Sequence, residues 1–591
     1  MHSLFNWGNF SNWRLKNIQE RYYILIISIL VGAFAGLGTV LLKSSVHFVK
    51  DILIKSFAGG YFNVMFFVYP MIGIFIVMVI MKYILKQENS HGIVTALYAI
   101  AKMKSILKLK TVFGPLFTTA ITVGFGGSAG VEGPAVASGS AIGSFFGQKF
   151  KLTYKQTSLL LACGAAGAMA SSLNAPITGL IFTLEVLMLD LTSFSILPLL
   201  AASISGVIMN KVIYGGDFLI KVDIAANYQV SDVPFYLLLG LVTGLISIYF
   251  ERIFWFIEDN MKLLKKRLTR FVVAGLMLGI LIFAVPALFG EGYATINDLL
   301  SGDYQKIVDH SPFFSHRENM AVIIILLIGL ALFKVIATSL TLAAGGVGGV
   351  VAPSIFTGAT IGFVFAKVMN IVGKFDLNET NYTLVGMAGV FAGILHAPLT
   401  AIFLIAELTG GYTLMIPLMI TVILSYLTVK LFVPHSIYNR QLAQKKELLT
   451  HHKDKVILHH MNISEVIETD FSSISPRSNL GEIIKAIENS KRNIFPVVNN
   501  DGQLEGILYL DKIRQIMFKN ELYTDIYVEQ LMTAVSFYID IEDRMETVME
   551  KFSDSNMWNL PVINQGQYAG FLSKSVVLTE YRKKMVEFSD E

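Results

Sequence analysis

The sequence predicts a polytopic α-helical membrane protein with two inverted repeats and broken helices, followed by a cytoplasmic α/β tail. Three observations predict this: the composition, the placement of charge and the internal repeats. Of the 591 residues, 54% are hydrophobic and only 15% are charged, whereas soluble domains carry about 25% charged residues. Segment 158–184 contains no charged residue, and uncharged apolar runs of about 18 residues or more are typical of membrane helices. This composition excludes a disordered chain, a secreted disulfide-rich domain and a typical soluble enzyme.

The distribution of charge divides the chain into zones. The zones are a polar head (1–21), a membrane domain (22–440), a linker (441–462) and a soluble tail (463–591). The membrane domain divides into related halves of about 22–230 and 231–440. The joint around the linker is rich in lysine and arginine, and such segments lie on the cytoplasmic side. We therefore expect both termini to be cytoplasmic and the protein to span the cell (plasma or inner) membrane several times.

Within the membrane domain, a first helix is predicted over 22–42, and later apolar runs are broken by glycine or proline. Examples are GFGGSAGVEGP at 124–134 and LAAGGVGGVVAP at 342–353. Broken backbone at membrane depth is tolerated only where protein or a water-filled cavity satisfies its polar groups. We therefore expect these breaks to line a transport pathway. Lys43 and Lys334 lie near the ends of apolar runs, and we expect their side chains to extend to the membrane interface.

The breaks recur at matching positions in the two halves. When the sequence is shifted on itself, 164–185 aligns with 386–407, and 126–143 aligns with 345–362. The coinciding pairs include Gly126/Gly345, Gly130/Gly349, Pro134/Pro353, Gly139/Gly358, Gly143/Gly362, Gly164/Gly386, Pro176/Pro398, Thr178/Thr400 and Glu185/Glu407. Two related halves with broken helices are typical of secondary transporters, whose substrate binds near the midplane where the broken ends meet.

Each glycine-rich break precedes a helix with a proline in its first turn, the position that tolerates proline best. The free N–H groups and the positive end of the helix dipole then point into the gap. Such an end stabilises an anion by about 0.3–1 kcal/mol when it is exposed. Two facing ends form a weak anion site, and weakness is useful because a transported ion must also leave. The residues alone therefore favour anion transport over cation transport.

Four motifs in this order resemble those of the CLC family of chloride channels and chloride/proton exchangers. They are GVEGP at 130–134, NAPITGLIFTLE at 174–185, GGVVAP at 348–353 and PHSIY at 434–438. The tail repeats a strand–turn–strand pattern at 493–513 and 559–577, each preceded by a helical pattern, and resembles a cystathionine-β-synthase (CBS) domain pair. The resemblance implies chloride transport through a pore in each subunit of a homodimer in the lipid bilayer. No enzyme activity, metal, required cofactor or nucleic acid is expected.

The resemblance also implies roles for single residues. Glu132 is the expected gate, and it is also the only charged residue in 111–148, where an ionisable side chain is a functional candidate by default. The expected anion-binding residues are His91, Gly130, Val131, Val350, Val351 and Tyr438. His91 replaces a serine that is common in the family; it can donate to an anion or simply face the cytoplasmic vestibule. From the residues alone, Tyr438 could equally be an interfacial anchor.

Val186 bears on whether chloride moves alone. It occupies the position at which exchangers of the family often carry a proton-transferring glutamate and channels often carry valine. The sequence therefore favours a voltage-gated-type chloride channel, with a chloride/proton antiporter as the alternative. A CBS-regulated cation channel is a remote alternative, because few acidic residues lie in the spans. A membrane-embedded enzyme is disfavoured because the spans contain neither an HExxH nor a GxSxG motif.

In the tail, Asp511 resembles the ribose-contacting aspartate of CBS pairs, whereas Ser575 stands at the matching place of the second module. The resemblance predicts one weak adenine-nucleotide site. A purely structural role for the tail is the alternative.

Overall fold

The structure is a computed structural model. It describes residues 19–57, 64–86, 92–101, 105–187, 193–215, 220, 227–308, 318–444, 458 and 461–589. These residues fall in two compact units, one within 1–448 and the other within 449–591.

The first unit is built of helices. Its first half contains α1 (Glu20–Phe57), α2 (Met65–Val79), α3 (Ile93–Ala101), α4 (Lys110–Gly124), α5 (Glu132–Lys149), α6 (Tyr154–Leu173), α7 (Pro176–Val186) and α8 (Ser193–Tyr214). Its second half contains α9 (Val233–Leu263), α10 (Arg267–Ala284), α11 (Tyr293–Leu300), α12 (Met320–Ala343), α13 (Val351–Gly373), α14 (Glu379–Leu395), α15 (Pro398–Leu408), α16 (Met415–Phe432) and α17 (Asn439–Gln444). Among the described residues, eight helical segments are long and apolar enough to cross a membrane. The polytopic helical fold that the sequence predicts is confirmed.

The repeated NAP and HAP motifs are sharp turns between helices. Helix α6 ends at Asn174 and helix α14 ends at His396, and both residues have a left-handed φ of 55°. A left-handed residue is a common helix end. The next helices, α7 and α15, begin two residues later at Pro176 and Pro398, because proline fits the first helical turn. The same local chemistry therefore breaks each half at the same place.

Matched glycines allow neighbouring helices to pack with their backbones in contact. A Cβ atom on Gly139 of α5 would overlap the backbone oxygen of Gly164 on α6, and the reverse also holds. In the second half, Gly358 of α13 and Gly386 of α14 are related in the same way. Small residues at helix interfaces are a usual means of close association within membranes. These helix pairs support the N-termini of α5 and α13.

The Gly139→Val protein should therefore be less stable than wild type by about 1–3 kcal/mol, or fail to fold, because the new side chain must push α5 away from α6. The thermal unfolding midpoint of the purified protein measures this. Gly329→Ala is the matched control, since a Cβ at Gly329 on α12 would make only ordinary contacts, the nearest at 3.7 Å. Equal midpoints for the two variants would contradict the close packing of α5 and α6.

The second unit is an α/β structure of two similar modules. Its elements are α18 (Ile463–Val466), α19 (Leu480–Glu488), β1 (Ile494–Val498), β2 (Leu504–Tyr509), α20 (Leu510–Ile513), α21 (Val528–Leu531), β3 (Thr533–Ala534), β4 (Ile539–Asp540), α22 (Met545–Ser555), β5 (Asn559–Asn564), β6 (Gln567–Ser573) and α23 (Lys574–Ser589). The strands form two sheets, in the orders β1-β2-β3 and β4-β5-β6. This mixed α/β tail agrees with the predicted CBS pair.

The two modules repeat each other in register as well as in element order. Strands β1 and β2 pair antiparallel with an irregularity after Val497, and β5 and β6 pair antiparallel with one after Val562. Each sheet packs against the helix that precedes it: Phe495 shares an apolar core with Leu480 of α19, and Leu572 shares one with Val548 of α22. Each of the strands β1, β2, β5 and β6 contains a run of at least three buried residues, which agrees with the apolar runs in the sequence.

Candidate functional site

The two glycine-rich breaks meet in the structure. The Gly130 N–H donates to the Gly349 carbonyl at 2.8 Å, and the Gly349 N–H donates to the Gly130 carbonyl at 2.7 Å. Helix α5 begins two residues after Gly130, and α13 begins two residues after Gly349. Both breaks turn at a glycine with positive φ, 92° at Gly126 and 106° at Gly345, a conformation that other residues rarely adopt. The N-terminal ends of α5 and α13 therefore lie side by side.

A reciprocal pair of threonines holds the two breaks. The Thr341 hydroxyl oxygen accepts from the Ser128 N–H at 3.0 Å, and the Thr122 hydroxyl oxygen accepts from the Val347 N–H at 3.1 Å. Each half thus supplies an acceptor for the irregular backbone of the other half. This satisfies backbone groups that a broken helix would otherwise leave unpaired inside the membrane.

Glu132 is the first residue of α5 and is fully buried. One carboxylate oxygen, Oε1, accepts a hydrogen bond of 2.6 Å from the Tyr293 hydroxyl on α11. The other oxygen, Oε2, has no hydrogen-bond partner among the described residues. A Cβ on Gly130 would overlap Oε2 and would lie 3.0 Å from the Ala352 backbone nitrogen. The carboxylate is therefore folded back over the glycine break, towards the N-terminus of α13.

Tyr438 approaches the same place from the chain just before α17. Its side chain is buried, with 7% of its surface exposed. Its hydroxyl interacts electrostatically with Glu132 and lies beside the backbone amide of Val350, but it forms no hydrogen bond of ordinary distance and angle. The burial of Tyr438 disagrees with the alternative of an exposed interfacial anchor.

The other predicted anion-binding residues divide into three groups. Val131 and Val350 are the residues that precede α5 and α13, and Val351 is the first residue of α13; the first N–H groups of a helix have no partner within the helix. The Gly130 N–H is already bonded to Gly349, so it positions the break and is not a free donor. His91 lies outside the described residues.

The prediction that the Lys43 side chain extends to the membrane interface is wrong. Its side chain is buried, with 8% exposed, and its ammonium group donates to the Ser172 carbonyl. It also interacts electrostatically with Glu132 and Glu291. The side chain turns inward because the protein offers a carbonyl and two carboxylates there, so it does not extend to the membrane interface.

The prediction that the Lys334 side chain extends to the membrane interface is also wrong. It is fully buried, and its ammonium nitrogen lies 2.8 Å from the Gly290 carbonyl oxygen and 4.9 Å from the centre of the Phe356 ring. Glu291, one residue after Gly290, interacts with Lys334, Lys43 and Glu132. Three lysines, Lys43, Lys50 and Lys334, therefore interact electrostatically with Glu291, which also interacts with Glu132. No sequence motif marks this cluster, because its members come from distant helices.

Glu407 caps a helix of the opposite half. Its carboxylate accepts from the N–H of Ile177 at 2.8 Å, the N–H of Thr178 at 2.7 Å and the Thr178 hydroxyl at 2.6 Å. All three donors belong to the first turn of α7, where a negative charge is stabilised by the helix dipole. Glu407 therefore has a structural role as the cap of α7.

Glu185 makes the equivalent contacts with α15. It accepts from the N–H of Leu399 at 2.9 Å, the N–H of Thr400 at 2.8 Å and the Thr400 hydroxyl at 2.6 Å. The Glu185 carboxylate is therefore a helix cap, as the Glu407 carboxylate is. Val186, next to it, ends α7 and is buried in the apolar core with 4% exposed.

In the second unit, Asp511 lies in the first turn of α20. Its side chain is 80% exposed and its carboxylate lies 2.7 Å from the Arg514 guanidinium. An exposed carboxylate at this position is accessible to a ligand.

Comparison with known proteins places the chain in a family. Residues 72–430 match the family model described as voltage gated chloride channel, and residues 463–519 match the CBS domain. The chain is 26% identical over 436 residues to a protein of Vibrio parahaemolyticus named H(+)/Cl(-) exchange transporter ClcA, covering 71% of this chain and 89% of that protein. It is 27% identical over 461 residues to the Arabidopsis thaliana chloride channel protein CLC-f, covering 68% of this chain and 56% of that protein.

Solved structures share the fold. A slow cyanobacterial Cl⁻/H⁺ antiporter matches with a TM-score of 0.61 at 20% identity, covering 73% of this chain and 99% of that one. A eukaryotic CLC transporter matches with a TM-score of 0.60 at 19% identity, covering 94% of this chain and 98% of that one. A CLC-type fluoride/proton antiporter matches with a TM-score of 0.58 at 22% identity, covering 71% of this chain and 97% of that one.

Proposed function

Because this chain belongs to the voltage-gated chloride channel (CLC) family, we propose that it exchanges chloride for protons across the membrane, with Glu132 as the group that both ions use. Chloride transport is the function of this family, whose members are transporters and channels and not enzymes. The channel prediction from the sequence was based on the valine at 186, and the chloride/proton antiporter was its alternative. The relatives named H(+)/Cl(-) exchangers favour the antiporter alternative instead.

The observation that supports the proposal most directly is the position of the Glu132 carboxylate. It is fully buried between two helix N-termini, with one oxygen held by Tyr293 and the other without a hydrogen-bond partner among the described residues. A negative group at this place competes with chloride for the same positive helix ends. When the carboxylate takes up a proton it becomes neutral, and the competition ends. One side chain thereby makes chloride binding depend on proton binding.

The finer features of the proposal follow the family. The functional protein is a homodimer with one pore in each subunit, in the cell membrane, with both termini in the cytoplasm. His91, Val131, Val350, Val351 and Tyr438 contact the anion along its path. Chloride and other small anions are the transported partners.

Flux measurements on proteoliposomes test the exchange. A chloride gradient is imposed in the absence of a pH gradient, and anion flux and internal pH are recorded together. Exchange predicts that chloride moving down its gradient drives protons uphill, in the opposite direction. Chloride flux without proton movement would establish the channel alternative, and an absence of anion flux would contradict the assignment altogether.

For the tail, we propose weak binding of an adenine nucleotide that depends on Asp511. The Asp511→Ala protein should bind at least about tenfold more weakly, which corresponds to about 1.4 kcal/mol. Calorimetric titration of the purified protein with ATP, ADP and AMP measures this. Asp501→Ala is the matched control, because Asp501 is an exposed aspartate in the turn between β1 and β2. No heat with any of the three nucleotides would favour the purely structural role.

A further inference from the structure

A further buried carboxylate of the membrane unit is that of Glu251. Glu251 lies on α9, has only 1% of its surface exposed, and neither of its carboxylate oxygens has a hydrogen-bond partner among the described residues. Glu185 and Glu407, in contrast, each accept three hydrogen bonds. Buried polar groups are normally hydrogen-bonded, and each exception needs an explanation. An ionisable residue inside a span is a functional candidate, and its partner should be identified.

The partner of Glu251 comes from the start of α17. Trp255 and Asp259 follow Glu251 at one-turn intervals and therefore lie on the same face of α9. The Arg440 guanidinium stacks on the Trp255 ring at 4.8 Å and lies 3.9 Å from the Asp259 carboxylate. Arg440 also interacts electrostatically with Glu251. The indole nitrogen of Trp255 and the side-chain oxygen of Asn439 are, like Glu251, buried without a hydrogen-bond partner among the described residues.

A cavity leads along this face. Its volume is about 420 Å³, and its lining includes Trp255, Asp259, Leu263 and Arg440. Leu263 is the last residue of α9, and the basic segment 265–267 follows it. Basic segments next to a span lie on the cytoplasmic side. The cavity is therefore the cytoplasmic approach to the face of α9 that carries Glu251.

Most other ionisable groups on the helices packed against α9 have partners elsewhere; the exception is Arg270 on α10, whose Nε atom is buried without a hydrogen-bond partner among the described residues. Lys334 donates to the Gly290 carbonyl, Lys367 pairs with Glu379, Lys430 donates to the Pro434 carbonyl, and the His396 ring packs edge-on against Tyr426. Among these described helices, Arg440 supplies the charge that acts on Glu251.

The same short segment reaches the gate. Tyr438 lies two residues before Arg440, and its hydroxyl interacts with Glu132. The segment from Tyr438 to Arg440 therefore carries side chains that interact with the buried carboxylate of α9 and with the buried carboxylate of α5. Proton relays within membranes are built from such chains of ionisable groups.

We infer that Glu251 is the group that loads protons from the cytoplasm during exchange, an inference that rests on the proposed chloride/proton antiport. A hydronium ion in the cavity gives its proton to the ionised Glu251 carboxylate and becomes water. The neutral Glu251 then gives that proton to water beside Tyr438, and the resulting hydronium ion gives it to the ionised Glu132 carboxylate. Glu251 is left ionised and ready for the next proton, so the proton count balances. When the gradients drive exchange in the opposite direction, the same steps run in reverse.

The Glu251→Gln protein tests the inference, because glutamine has nearly the same size but cannot carry the proton. Proton movement driven by a chloride gradient should fall by about 100-fold, the usual loss when a proton-transfer group is removed, while anion flux persists. Glu251→Asp should restore part of the proton movement, which a purely structural role would not do. Glu258→Gln is the matched control, because Glu258 lies on the same helix but pairs with Lys262 at 3.4 Å. In the control protein, a chloride gradient should drive proton movement as it does in the wild type.

The results separate the two proposals. If a chloride gradient drives protons equally well through the wild-type and Glu251→Gln proteins, the proposed role of Glu251 is overturned and the exchange proposal stands. If Glu251→Gln and Glu251→Asp both lose anion flux, Glu251 is structural and the inference is also overturned. If wild type moves no protons uphill, the exchange proposal fails and the inference fails with it.

Discussion

The Glu132→Gln protein should conduct anions at the wild-type rate or faster and should lose chloride-driven proton movement by about 100-fold or more. Glutamine keeps the size of the side chain and removes its charge and its proton. The negative group that competes with chloride at the ends of α5 and α13 is then absent. Anion flux should also become nearly independent of pH, because the proposed competition between a proton and chloride at Glu132 is no longer present. Flux in proteoliposomes over a range of pH, with simultaneous recording of chloride and protons, measures both effects.

A matched control is Glu379→Gln. Glu379 is also a glutamate in the first turn of a helix, but it pairs with Lys367 at 2.9 Å at the start of α14. We expect this variant to retain wild-type flux, coupling and pH dependence. If the Glu132→Gln protein instead keeps wild-type coupling, Glu132 is not the shared group and the proposed mechanism is wrong.

The Glu407→Ala protein should be destabilised by about 3–5 kcal/mol, since the variant leaves donors of the first turn of α7 without an acceptor and hydrogen bonds to charged groups contribute about 1.5–3 kcal/mol each. Glu185→Ala should have an effect of the same size, because Glu185 makes the equivalent three contacts with α15. Thermal unfolding of the purified proteins in detergent measures both. The Glu407→Gln protein should fall between wild type and Glu407→Ala, since glutamine retains one acceptor oxygen but not the charge.

Glu258→Ala is the control for these two variants. Its pair with Lys262, one helical turn away on α9, is of the kind that contributes about 0.3–0.5 kcal/mol. An unfolding midpoint for Glu407→Ala that matches that of Glu258→Ala would show that the cap is not important for stability. Because Glu185 and Glu407 lie on helices in mutual contact, the double variant is not expected to be additive.

The two halves depend on each other through reciprocal contacts. Glu407 of the second half caps α7 of the first, and Glu185 of the first half caps α15 of the second. The glycine breaks pair in the same way through Gly130 and Gly349. Each half therefore completes the hydrogen bonding of the broken helices in the other. This explains how irregular backbone is stable within a membrane, where unsatisfied polar groups are costly.

Much of the fold could be predicted because its signals are local. Uncharged runs predict the spans, and proline after Asn174 and His396 predicts the helix starts. The match of Glu185 with Glu407 and of Gly130 with Gly349 predicts related halves. The family resemblance and the CBS-like tail are confirmed by the family matches. The sequence also predicts that the N-terminal ends of α5 and α13 meet, because the repeats place the same break in both halves.

The environment of Glu132 could not be predicted. Tyr293 bonds Glu132 from a helix that lies far away in the sequence. Lys43 and Lys334 were expected at the membrane interface, yet both are buried near Glu132 and Glu291. The direction in which a long side chain turns depends on which acceptors the neighbouring helices present. That information exists only after the helices have packed.

Glu251 is a further residue whose environment could not be predicted from the sequence. In the sequence it stands beside Arg252, with further charged residues downstream at 258 and 259, and so resembles the charged end of a span. In the structure it faces inward, with Arg440 as its electrostatic partner. By itself, the sequence determined the membrane helices, their breaks, the repeat and the glutamate at the break, because periodicity, glycine and proline act over a few residues. Only the tertiary structure decided which charges are buried, which carboxylates cap helices and which remain unpaired, because burial and pairing arise from contacts between residues that are far apart in the chain.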